Sequence, residues 1–130
     1  MDSWNKQMYA VRVWHELTYD MDPNLTNLLI TRDWQLWIID FTRAFRLQKD
    51  VRQRKNLVQC DRRPLAKLRT LDKNELKDKL SRWLTKSEID GVAARAGKIT
   101  EFFDKEAAAK GEGAVLYDFP RTQQACGVGL

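Results

Sequence analysis

The chain has 130 residues, 43% of them hydrophobic, enough for one buried core and too little for two independent domains. No stretch approaches the roughly 20 uninterrupted apolar residues that span a bilayer, and Asp2, Lys6, Arg12, Glu16 and Asp20 break up any signal-peptide core, so a cytoplasmic protein without a membrane span is expected. The net charge of +5 is uneven: segment 43–69 sets Arg43, Arg46, Lys49, Arg52, Arg54, Lys55, Arg62, Arg63, Lys67 and Arg69 against Asp50 and Asp61, and the rest is close to neutral.

In chain order, Ser3 caps a helix over 4–17 whose apolar positions Trp4, Met8, Val11, Trp14 and Leu17 recur every three or four residues. His15 lies on that helix without a partner at ligand spacing and is expected to be half exposed. Asp22-Pro23-Asn24 ends it, because proline confines the preceding residue to extended backbone. Leu28-Leu29-Ile30 and Leu36-Trp37-Ile38-Ile39, separated by a turn containing Arg32-Asp33-Trp34, predict a β-hairpin with Trp34 exposed at its tip. A basic surface connector runs to about Asn56.

Asp61 then caps a helix with Pro64 in its first turn and Leu65 and Leu68 on its apolar side. Asp72 and Glu75 have capping-box spacing for a helix over 73–83 that buries Leu76, Leu80 and Trp83. Thr85 and Glu88 repeat the box for a helix to Lys110, lined by Ile89, Val92, Ala93, Ala96, Ile99 and Phe103. Gly91 and Gly97 inside it each cost roughly 1 kcal/mol against alanine, which implies close packing by a neighbour. Gly111 and Gly113 stop that helix, Val115-Leu116-Tyr117 adds a short extended piece, and 111–130 is a tail. Cys60 and Cys126 lack the spacing of a disulfide framework or a zinc site and are expected as reduced structural thiols. The expected fold class is α+β, mostly helical with one hairpin, in a single domain over 1–110.

Three polar residues surround the hairpin: Asp22, Asn27 five residues later, and Asp40 thirteen beyond that. Magnesium selects hard oxygen ligands, which suits the Asn27 carbonyl and the Asp40 carboxylate with waters completing the shell. Asp22 then orients a substrate hydroxyl, the one further protein group that phosphoryl transfer asks for. Arg43 and Arg46, just after Asp40, are placed to meet a phosphate.

The run over 19–45 resembles the catalytic region of the protein-kinase-like superfamily, in which an Asp-x4-Asn loop, an apolar hairpin and an Asp-Phe turn follow one another. Asp22, Asn27 and Asp40-Phe41 match position by position, and these pieces look most like the atypical branch, meaning phosphatidylinositol-kinase-like and small bacterial kinase-like proteins. The resemblance implies a partial C-lobe, with a catalytic loop and metal hairpin over 19–45 and a helical part over 61–110. It also implies Mg2+ and ATP as cofactors, with transfer of the γ-phosphate to a hydroxyl. Asp20 stands where protein kinases have histidine, Asn24 where they have lysine and Thr42 where they have glycine. Neither a glycine-rich loop nor a Val-Ala-x-Lys strand is present, so a missing N-lobe or partner chain is expected beside the nucleotide.

Two other readings accompany this one. The basic 43–69 segment attracts polyanions, although the carboxylates in 20–40 argue against a nucleic-acid partner. A kinase-like remnant acting as a scaffold would instead expose an apolar patch where an N-lobe docks.

Overall fold

The computed structural model describes residues 2–21, 23, 27–39 and 43–119. The fold is α+β and mostly helical. Helix α1 (Asp2–Thr18) is followed by the hairpin of β1 (Leu28–Ile30) and β2 (Leu36–Ile38), a 3-10 turn (Arg54–Asn56) and β3 (Cys60–Asp61). Then come α2 (Arg62–Arg69), α3 (Lys73–Leu80), α4 (Lys86–Lys110), α5 (Glu112–Val115) and β4 (Leu116–Tyr117).

The long helix α4 is the spine. Thr85 and Glu88 form the capping box the spacing predicts, with Thr85 N donating to Glu88 Oε1 at 2.8 Å and Glu88 N to Thr85 Oγ1 at 3.2 Å. Gly111 ends the helix at φ 88°, a backbone conformation that glycine adopts without strain. Ile99 and Phe103 of α4 are fully buried against Val13 of α1, Leu57, Cys60, Leu65 of α2, and Val115 and Leu116. Residues 115–117 are therefore buried with the core and do not form part of a tail. Leu116 and Tyr117 pair in parallel with Cys60 and Asp61, and the Tyr117 hydroxyl donates to Lys6 O at 2.7 Å.

Asp61 caps α2 by accepting from Arg63 N, as its position predicts. At α3 the outcome differs. Asp72 accepts from Asn74 N, while Glu75 takes Lys79 as an ion-pair partner at 2.8 Å and forms no box. The helix stops at Leu80, and Trp83, expected in the core, is 71% exposed with the Arg82 guanidinium 5.6 Å from its ring centroid. The two helix glycines also part company. A Cβ on Gly91 would sit 2.8 Å from Arg95 Nη1 and 2.9 Å from Arg46 O, whereas one on Gly97 would meet nothing within 4 Å. Close packing explains the first and not the second.

The predicted hairpin is present, and its strands pair with Leu28 opposite Ile38, Leu29 opposite Trp37 and Ile30 opposite Leu36. It is docked on α1 by one amide side chain: Gln7 Nε2 donates to Trp34 O at 3.0 Å and Gln7 Oε1 accepts from Leu36 N at 2.9 Å. Gln7 thus acts as a strand neighbour for the turn. Trp34, in the left-handed region at φ 63°, sets its ring edge-on to Trp4 at 6.1 Å.

Candidate functional site

Both flanks of the expected site are tied by backbone hydrogen bonds. Met21 N donates to Arg43 O at 3.0 Å, joining the residue before Asp22 to the third residue after Asp40. Ile39 N donates to Asn27 O at 2.9 Å, joining Asn27 to the residue before Asp40. A third tie, Phe45 N to Thr18 O at 2.6 Å, closes the segment onto the end of α1. Asp22 and Asp40 themselves lie outside the described residues, among which no cluster of three His, Cys, Asp or Glu groups could hold a metal ion. Arg43 and Arg46 are exposed, and their carbonyls are occupied, the first by Met21 N and the second by Arg95.

The floor beneath these ties is charged and buried. Tyr19 and Phe45 both take left-handed backbone, at φ 49° and 59°, which bulky side chains rarely adopt and which tends to collect at functional sites. Arg95 of α4 is completely buried beneath them. Its Nε donates to Leu17 O at 2.7 Å, and its Nη1 donates to Arg46 O at 2.8 Å and Gln48 O at 2.6 Å. One guanidinium thus caps the C-terminus of α1 and holds the following loop. The Tyr19 ring lies 5.7 Å from the guanidinium carbon. Burial pushes the Arg95 pKa down to about 10, which leaves it charged at neutral pH.

Glu16 secures the same loop from the other side, its Oε1 accepting from Gln53 N at 2.6 Å and its Oε2 from Asn56 Nδ2 at 3.4 Å. The connector expected as plain surface is therefore stapled at both ends by buried charged side chains. His15, expected to be half exposed, is buried with Asp20, and its Nε2 stands 3.9 Å from Asp20 Oδ2, beyond hydrogen-bond reach. Burial lowers the His15 pKa, and the Asp20 and Glu16 charges oppose that shift.

Sequence reasoning missed Gln7, Glu16 and Arg95. Each is a polar residue on an otherwise amphipathic helix, and most of their hydrogen-bond partners are backbone atoms, which carry no side-chain signature. Within the basic 43–69 segment, Arg54, Arg62 and Arg69 form ion pairs with Asp50, Asp118 and Asp104, which weakens the local field. No protein-family model, curated protein or solved structure matches this chain.

Proposed function

We propose that this chain is the C-lobe part of a kinase-like phosphotransferase, with Asn27 and Asp40 as magnesium ligands, Asp22 orienting the acceptor hydroxyl, and Arg43 and Arg46 available to phosphate. The observation that carries this reading is the pair of backbone ties, Met21 to Arg43 and Asn27 to Ile39. They hold the chain neighbours of all three polar groups at one end of the hairpin, where a magnesium-bound nucleotide needs them. The left-handed Tyr19 and Phe45 at the same place support it. Phosphoryl transfer relies mainly on positioning and electrostatics, so a clamp of this kind is the protein's principal contribution.

Manganese with ATP tests the reading at the weak affinity expected without an N-lobe. Paramagnetic broadening should centre on the amide resonances of Asn27 and Ile39 and vanish in Asp40→Ala. Broadening that spreads over other acidic residues, or survives both Asp40→Ala and Asn27→Ala, refutes it.

The hairpin favours one companion reading. Leu29, Ile30, Trp37 and Ile39 are 53%, 55%, 39% and 38% exposed, an apolar surface suited to a second lobe or a scaffolding partner. Strong ANS fluorescence and self-association by light scattering, in a chain that ignores nucleotide, would move the conclusion to a scaffold.

A further inference from the structure

A cavity of about 340 Å³ lies between α1, α2, α3 and α4, away from the hairpin, and its wall includes Trp14, Leu17, Leu68, Leu76, Leu80 and Val92. That is within the range of ligand pockets, which are mostly apolar with a few placed polar groups. Three of the polar side chains in the wall are already engaged, while the buried Trp14 Nε1 has no hydrogen-bond acceptor among the described residues. Thr18 Oγ1 donates to Trp14 O at 2.9 Å, Cys60 Sγ donates to Asp61 O at 3.4 Å, and the Asp61 carboxylate accepts from Arg63 N at 3.1 Å. Water needs two to four polar partners to occupy a cavity, and a space without them stays dry or takes an apolar guest.

One wall argues for a guest. Helix α3 has no buried residue, and Leu76 and Leu80, its only apolar side chains, both line this space. An eight-residue helix with so little packing gains most of its hydrophobic seat from whatever fills the cavity. One cation stands in the wall: Lys67 of α2, an exposed residue that lines the cavity. An ammonium has three protons and can serve an incoming carboxylate beside another acceptor.

We propose that this cavity binds a free single-chain carboxylic acid of about ten carbons, its alkyl chain between α1 and α3 and its carboxylate at Lys67. The length follows from the volume, taking a methylene as about the 30 Å³ of a liquid water molecule. The site is separate from the nucleotide reading and stands without it.

Calorimetric titration of the full chain with decanoate, kept below micelle formation, tests it. One-to-one saturable binding is expected. It should weaken about fourteenfold from decanoate to octanoate, since each methylene is worth about fourfold. Lys67→Gln should weaken decanoate about threefold and leave decanol unchanged. Leu76→Phe, which adds bulk to a half-buried wall, should abolish binding of both while the helical circular dichroism persists.

The chain-length series on the unaltered protein decides the matter even if a variant fails to fold. No saturable heat, the same affinity for octanoate and decanoate, equal binding of decylamine, or binding only to phospholipid vesicles overturns the proposal.

Discussion

Replacing Arg95 by leucine removes a group that joins α1, the loop after the hairpin and α4. Arg95 donates three hydrogen bonds to backbone carbonyls from a completely buried position. Hydrogen bonds involving a charged group contribute about 1.5–3 kcal/mol each, so the gross loss is about 4.5–9 kcal/mol. Two effects offset it. The variant no longer desolvates a guanidinium, at several kcal/mol, and leucine buries apolar surface in its place. Leaving three part-buried carbonyls without their donor dominates the balance, and the net cost is expected near 4 kcal/mol, at the upper end for single substitutions.

Urea unfolding followed by far-UV circular dichroism measures it, and thermal melting should fall by about 15 °C. Arg95→Lys should not rescue, because one ammonium cannot reproduce the spread of a planar fork over carbonyls of two segments. A loss below about 1 kcal/mol with an unchanged urea slope would falsify the clasp, since the carbonyls would then be satisfied without Arg95.

Three further outcomes follow from the geometry. Gly97→Ala should stabilise by about 1 kcal/mol, because its Cβ meets nothing within 4 Å, while Gly91→Ala should destabilise through contact with Arg46 O and Arg95; paired urea melts decide it, and equal signs contradict the packing described. His15 is held below the usual 6.5 by burial, so the unfolded chain takes up the proton first. Stability should therefore drop as pH falls through 6.5 and level off once native His15 is also protonated; His15→Gln should flatten that step, and an unchanged pH profile removes His15 as its source. Burial pushes the Cys60 thiol up to about 12, so in a Cys126→Ser background it should react with Ellman's reagent only as fast as the protein opens; rapid stoichiometric labelling of folded protein contradicts that burial.

How much could be read in advance depended on where each residue's partner lies. The hairpin, the Asp61 cap and the Thr85–Glu88 box are local, set by residues close to one another in the chain, and they stand as the spacing predicts. Trp83 was misplaced because periodicity says where a face points and not whether anything covers it; α3 ended three residues early and left the ring outside. Glu16 and Arg95 were illegible for a related reason. A charged residue on a helix reads as solvent-facing until a distant backbone carbonyl or amide is brought to it, at separations of 37 residues for Glu16 and Gln53 and 78 for Arg95 and Leu17. Of the two backbone ties beside the expected site, Asn27 to Ile39 continues the local hairpin ladder, while Met21 to Arg43 depends on the loop returning to the end of α1.

The contact of Tyr117 with Lys6 spans 111 residues, and it bears on how the molecule is made. On the ribosome, helix α1 emerges 111 residues before that partner arrives. Cysteine-free crosslinking or force-based arrest profiling should find α1 still undocked when α4 has left the exit tunnel, then locked abruptly as residue 117 clears it. Joining the neighbourhoods of residues 6 and 117 by a short linker, and opening the chain elsewhere, should preserve the native arrangement while reversing that order of events.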